Sequence, residues 1–207
     1  ATPVRGIVTY TVESEVPRLD RATPERPQGR DDPAIAERYE DLPAAFPGEA
    51  ARIAREVTAG SRNRYQQARA LQDWFRAQFT YSLEVPAGHS DDALLAFLAS
   101  RSGYCEQFAG AYAAMARSLG IPARVAVGFT PGEVDAADPT LRHVRGRQAH
   151  AWPEVWFPKV GWVPFEPTPG RGLPDARAYT GVLPAQDDRG PAPTVTTVGR
   201  PPCTSAA

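Results

Sequence analysis

Cys105 and His150 are the residues whose types and placement allow covalent chemistry. The sequence holds two cysteines and three histidines. Cys105 opens a stretch in which Phe108, Tyr112, Met115 and Leu119 recur at helical spacing, so a helix over residues 105–119 starts at the thiol. A thiol in a first helical turn faces unpaired backbone N–H groups and the positive end of the macrodipole, which favour thiolate. Gly103, two residues upstream, is expected to allow a tight turn that presents the sulfur. A lone cysteine is ordinarily a small buried hydrophobe, but the helix-start position sets Cys105 apart. Cys203 lies in Arg-Pro-Pro-Cys-Thr-Ser-Ala-Ala, which offers nothing to hold it against a core, so a Cys105–Cys203 bridge is disfavoured.

Thiol chemistry needs a base and a group to orient that base. His89 sits in a Gly-His-Ser loop and reads as solvated, and His143 lies between Arg142 and Arg145, where positive neighbours oppose protonation. His150 opens the strand-like run His-Ala-Trp-Pro-Glu-Val-Trp-Phe, whose alternation puts His150, Trp152, Glu154 and Trp156 on one face. Alone it reads equally well as a core histidine; paired with Cys105 it reads as the base. The third group is a carboxylate or amide that takes the second imidazole N–H. Glu154 shares the face but lies four residues along the same strand. Glu166 is on the returning strand, and with Trp156 opposite Trp162 it falls diagonal to His150 on the same face, whereas a one-residue slip sends it to the other. The geometry favours Glu166, conditional on that register.

Other chemistries lack their residues. No Cys-x-x-Cys or His-x-x-x-His spacing supports a metal site, and no Gly-rich loop followed by Lys supports phosphate binding. Gly-x-Ser-x-Gly is absent too, and no cofactor is implied. Asp91 and Asp92 sit where a short helix over residues 93–99 begins, and read as cap and dipole partners.

The elements that must position these residues follow a helices-then-strands order. Residues 4–16 contain the β-rich run Gly-Ile-Val-Thr-Tyr-Thr-Val, and residues 18–33 read as a loop. Helices are expected over residues 47–58 and 63–79, a buried strand over 123–129, and a hairpin from 149–157 and 162–166. Residues 130–147 read as a long loop, a lid or groove wall as readily as a solvated excursion. The predicted class is α+β, a helical layer packed against an antiparallel sheet.

The chain has 207 residues, with 42% hydrophobic and 23% charged, enough for one core with tails. The net charge of −1 gives nucleic acid or an anionic membrane nothing to attract. The longest run free of charge and proline, residues 107–116, is far short of a membrane span. No initiator Met or signal pattern opens the sequence, which reads as part of something longer. All basic residues but Lys159 are Arg, which reflects coding bias and carries no physical argument. Half of the 22 prolines fall from Pro153 onward. The division expected is a domain over residues 1–172, with its core at about 47–170, and an extended arm and disordered linker over 173–207.

Gly-Tyr-Cys-Glu-Gln-Phe-Ala, Met-Ala-Arg-Ser-Leu-Gly-Ile-Pro-Ala-Arg-Val-Ala-Val-Gly-Phe, His-Ala-Trp-Pro-Glu-Val-Trp-Phe and Gly-Trp-Val-Pro-Phe-Glu-Pro-Thr-Pro, in that order, resemble the core of the bacterial transglutaminase-like superfamily. The upstream Ala-Leu-Gln-Asp-Trp-Phe-Arg and Phe-Thr-Tyr-Ser are similar to that family's text as well, so the resemblance covers about residues 61–170. It is closest to the membrane-anchored branch, whose catalytic domain lies outside the cytoplasmic membrane. The resemblance implies a papain-like fold and a Cys-His-Asp triad, placed here on Cys105, His150 and Glu166, with Glu where the family commonly has Asp. Trp152, Trp74 and Tyr104 become candidates for lining the substrate groove, with plain core as the alternative for Trp152 and Trp74. Gln107 is expected to face solvent, leaving the Cys105 backbone N–H as the oxyanion donor.

The function expected is cysteine-dependent amide acyl transfer: cross-linking, deamidation or peptide hydrolysis. The substrate would be a protein or peptide, such as a cell-envelope component, met on the extracytoplasmic face of the membrane by a domain of a membrane-anchored parent. The alternatives are a cell-wall cysteine peptidase of the NlpC/P60 kind, whose local motifs are missing, and a catalytically silent peptide-binding module. The residues leave oligomeric state unread.

Overall fold

A computed structural model describes residues 9–13, 19–26, 29–85 and 91–186. Among the described residues four helices precede the first strand: α1 (Ala22–Glu25), α2 (Pro33–Tyr39), α3 (Gly48–Thr58) and α4 (Arg64–Gln78). Then follow β1 (Thr80–Tyr81), α5 (Asp91–Ser100), β2 (Ser102–Gly103) and α6 (Cys105–Arg117). The strand-rich half has β3 (Ala123–Phe129), β4 (Glu133–Val134), β5 (Arg142–His143), β6 (Ala149–Phe157), β7 (Gly161–Pro164), β8 (Arg171–Gly172), α7 (Arg177–Thr180) and β9 (Ala185–Gln186).

Local chemistry fixes the helices. Asn63 caps α4, its Oδ1 accepting the Gln66 N–H at 2.9 Å. On α4, Tyr65, Ala68, Leu71, Gln72 and Phe75 are buried, a stripe at three- and four-residue steps. On α6 the stripe is Phe108, Tyr112 and Met115. The two helices meet across it, where the Tyr112 hydroxyl donates to the Ala68 carbonyl at 2.8 Å. Phe75, Phe79, Phe97 and Phe108 pack together with ring centroids 4.9–6.1 Å apart, within the range of favourable aromatic geometry. α6 ends at Arg117, two residues before the expected Leu119, because Gly120 turns left-handed (φ +70°) and the Ile121 N–H returns to the Ala116 carbonyl.

α6 lies on an antiparallel sheet of order β3–β6–β7, burying Val155, Phe157, Val163 and Phe165 beneath it. The fold is α+β, a helical layer against an antiparallel sheet, as the sequence predicts. The hairpin register is also the expected one, with Trp156 opposite Trp162.

Two expectations change, for β3 and for residues 173–186. β3 is not a buried strand: it is the edge of the sheet, and Val127 and Phe129 are 76% and 60% exposed. Alternating apolar residues on an edge strand look the same in sequence as those of a covered one. Residues 130–147 are mostly loop, as expected, interrupted by the short β4–β5 pairing and a 3₁₀ turn over Gly146–Gln148. The Gln186 side chain clasps that hairpin, accepting the Gly132 N–H at 2.8 Å and donating to its carbonyl at 3.2 Å. Residues 173–186, expected as an extended arm wrapping the surface, carry α7 and β9 and reach the core, since Ala176, Tyr179 and Thr180 are buried and β9 pairs with β8. Of the N-terminal β-rich run, residues 9–13 form no strand, and the rest lies outside the described residues, as do 187–207 with Cys203.

Candidate active site

Cys105 is the first residue of α6, and the chain reaches it through the parallel pairing of β2 with β1 (Tyr81 beside Gly103). The Ser82 N–H donates to the Gly103 carbonyl at 2.7 Å, so the residues before the thiol are tied to the segment after α4. Gly103 is required by crowding and not, as expected, by turn geometry: a Cβ there would lie 2.5 Å from Gln107 Oε1 and 2.7 Å from the Phe97 ring. Gln107, expected to face solvent, curls back so that Oε1 accepts the Tyr104 N–H at 3.3 Å. It caps the helix that carries the thiol. Tyr104 is the N-cap residue, half-buried beside Cys105; burial, then the charges of Glu106 and Cys105, push its hydroxyl pKa up.

His150 is the second residue of β6, opposite Gly128 of β3, and its side chain is buried. Glu166 follows β7 by two residues and is also buried. The His150 Nε2 and Glu166 Oε2 atoms are 2.6 Å apart. The other carboxylate oxygen, Oε1, accepts the Thr168 N–H at 2.9 Å, so the carboxylate is held at both ends. Nδ1 is the nitrogen left for Cys105. It makes no hydrogen bond of ordinary geometry, yet the Cys105 side chain is close enough to act on the ring as a hydrogen-bond partner and a charge. Burial alone lowers the His150 pKa, but the Cys105 and Glu166 hydrogen bonds and charges outweigh it and raise it to about 9. The imidazolium is therefore the favoured form at neutral pH.

Trp152 stacks beside His150, centroids 6.0 Å apart and planes at 28°. The Trp152 ring lies over Gly128, where a Cβ would come within 3.1 Å of it. Trp74 packs edge-on against Phe75 and Phe79, each at 4.9 Å, on the border of the aromatic core. Glu154 is engaged elsewhere, Oε2 accepting from Arg124 Nε at 2.7 Å. His143 pairs with Asp135 at 2.7 Å on the exposed hairpin. His89 lies outside the described residues, and of Asp91 and Asp92 only the helical backbone is described. Among the described residues no group of three or more His, Cys, Asp or Glu could hold a metal ion, and no helix is long and apolar enough to cross a membrane.

Sequence reasoning missed Gln72, whose Oε1 accepts the Glu166 N–H at 3.2 Å. Its signal was there: a polar residue four after Ala68 falls on the apolar stripe of α4. Arg76, one turn on, donates to the Glu166 carbonyl at 3.1 Å, a contact with no signature in the sequence.

A thiol at a helix start, and an imidazole in contact with a carboxylate, are the residue types that thiol acyl transfer requires. The profile of the transglutaminase-like superfamily matches residues 51–167, a span that includes all three side chains, and the chain belongs to that superfamily.

The chain is 32% identical over 180 residues to the uncharacterized protein YebA of Bacillus subtilis, an alignment covering 82% of this chain and 24% of YebA. It is 41% identical over 101 residues to a protein-glutamine gamma-glutamyltransferase of Pseudomonas aeruginosa, covering 49% of this chain and 15% of that protein. Among solved structures, the periplasmic domain of TgpA from Pseudomonas aeruginosa superposes with TM-score 0.60 at 33% identity, over 73% of this chain and 52% of that domain. A candidate cysteine protease from Cytophaga hutchinsonii shares the fold, with TM-score 0.50 and 22% identity over 66% of this chain and 43% of its own. The chain thus spans a quarter or less of the curated relatives and about half of the solved periplasmic domain.

Proposed function

We propose that the protein is a thiol acyltransferase that attacks a glutamine side-chain amide of a protein or peptide and passes the acyl group to an amine or to water. The observation that carries the reading is the buried His150–Glu166 contact at 2.6 Å, with the Cys105 side chain acting on the same ring. The Cys105 thiolate attacks the amide carbonyl, and the C–N bond breaks as His150 delivers its proton to the departing ammonia. The thioester on Cys105 then takes an amine, which cross-links, or water, which deamidates or hydrolyses. In the second step His150 accepts the proton of the incoming nucleophile, and Glu166 holds the ring tautomer throughout. The Cys105 backbone N–H, at a helix N-terminus, stabilises the oxyanion, while Trp152 and Tyr104 flank the groove.

The likeness to a protein-glutamine gamma-glutamyltransferase supports glutamine as the acyl donor, and the likeness to a periplasmic domain supports an extracytoplasmic location. On this reading the domain belongs to a membrane-anchored parent and meets cell-envelope proteins or peptides. The test is incorporation of a fluorescent primary amine into a glutamine-rich protein such as dimethylated casein. Wild-type protein labels it, and Cys105→Ala and His150→Gln do not. Labelling that persists in Cys105→Ala overturns the reading.

A further inference from the structure

Glu166 lies where the sheet can no longer fix a backbone. β7 ends at Pro164, and Pro167 and Pro169 have no N–H to donate, so the carbonyls of this turn must find donors elsewhere. α4 supplies them. Arg76 Nη1 donates to the carbonyls of Glu166 (3.1 Å), Thr168 (2.6 Å) and Arg171 (2.9 Å). One turn earlier, the buried Gln72 accepts the Glu166 N–H and donates from Nε2 to Asp73 Oδ1 (2.9 Å) and the Thr180 carbonyl (3.0 Å). Both backbone polar groups of Glu166 are therefore satisfied by two side chains of one helix.

We infer that Arg76 and Gln72 are positioning residues for the candidate site, setting the backbone of residues 166–171 so that the Glu166 carboxylate meets His150 Nε2. The inference rests on the triad reading above. A side chain at the end of a strand loses its face and reach if the backbone shifts by a fraction of a residue. The alternative, that Arg76 acts only as a nearby positive charge, makes the opposite prediction. The charged groups acting on this corner are Cys105 from α6 and Arg76 and Asp73 from α4. Removing one positive charge makes His150 hold its proton more tightly; releasing the Glu166 carboxylate makes it hold the proton less tightly.

The test is an NMR titration of the three histidine rings in the folded chain, each variant held well below its melting temperature. In the wild type His150 is expected to titrate at about 9. Glu166→Gln, Arg76→Met and Gln72→Met each lower its proton affinity by about tenfold or more. Arg76→Lys, whose ammonium can donate to the same three oxygens, keeps most of the wild-type value. Gln72→Met carries the test if Arg76→Met does not fold. If Glu166→Gln lowers the midpoint while Arg76→Met and Gln72→Met leave it unchanged or raise it, the positioning role is overturned and the triad stands. A wild-type His150 that titrates like a free histidine and ignores Glu166→Gln overturns both.

Discussion

His150 is buried, and burial alone would strip its proton; Cys105 and Glu166 reverse that and leave its pKa at about 9, against an ordinary 6.5. A raised folded-state pKa stabilises the fold fully below 6.5, and that stabilisation is lost as the pH rises through about 9. Wild-type protein therefore melts higher than His150→Gln at pH 6, and thermal melts at pH 6, 8 and 10 show the gap closing with pH. A gap that widens toward pH 10 contradicts the assignment. Glu166→Gln keeps size but can present an N–H where an acceptor is needed, so turnover falls by about a hundredfold or more. Glu166→Asp, the commoner residue of the family, retains part of it. Glu154→Gln is the control: its partner is Arg124, directly opposite on β3, and amine incorporation stays close to wild type. The contact of His150 with Glu166 is legible in the sequence because strand alternation and one hairpin register suffice to bring the two side chains together. Gln107 and Gly103 were misread because a side chain folding back on its own helix, and the space a missing Cβ must leave, depend on Phe97, which arrives from another helix.

At the scale of elements, the sequence showed α3, α4, α6 and the β6–β7 hairpin nearly to the residue, since each carries its own cap or turn and a complete apolar face. The short pairing of β1 with β2 was invisible, because two-residue strands have no periodicity. Yet that pairing and the tight contact at Gly103 aim the start of α6. Gly103→Ala forces a methyl against Gln107 and Phe97, which costs about 1–3 kcal/mol of stability by overpacking. It also uncaps the helix at the thiol. Chemical denaturation and Cys105 alkylation, measured together, are expected to show a lower midpoint and slower alkylation. An alanine variant with wild-type values in both would show that the close approach relaxes freely. β3 teaches the complementary lesson: its alternation is real, but only the tertiary structure shows that no further strand among the described residues covers Val127 and Phe129.

For the molecule as a whole, the domain does not stop where apolar periodicity fades. The Arg69 guanidinium donates to the Tyr179 carbonyl at 2.9 Å, the Tyr65 hydroxyl bonds the same oxygen, and Gln72 reaches Thr180. These partners lie more than a hundred residues apart in sequence, beyond any local pattern. Ending the chain at residue 172 removes the buried Tyr179 side chain and one of the two acceptors of the Gln72 amide, so the melting temperature falls by about 5–10 °C relative to a chain ended at 186. Equal melting temperatures would place residues 173–186 outside the cooperative unit. Because Gln72 also holds Glu166, the shorter chain is expected to lose turnover as well.

The claim on which all of this converges is that Cys105 forms the covalent acyl intermediate. Mass spectrometry of the protein quenched in acid during turnover of a glutamine peptide measures it directly. The expected result is the peptide's mass less one ammonia added to the fragment carrying Cys105, discharged when a primary amine is supplied. Turnover with no adduct on that fragment, or an adduct that survives in Cys105→Ala, would contradict the account.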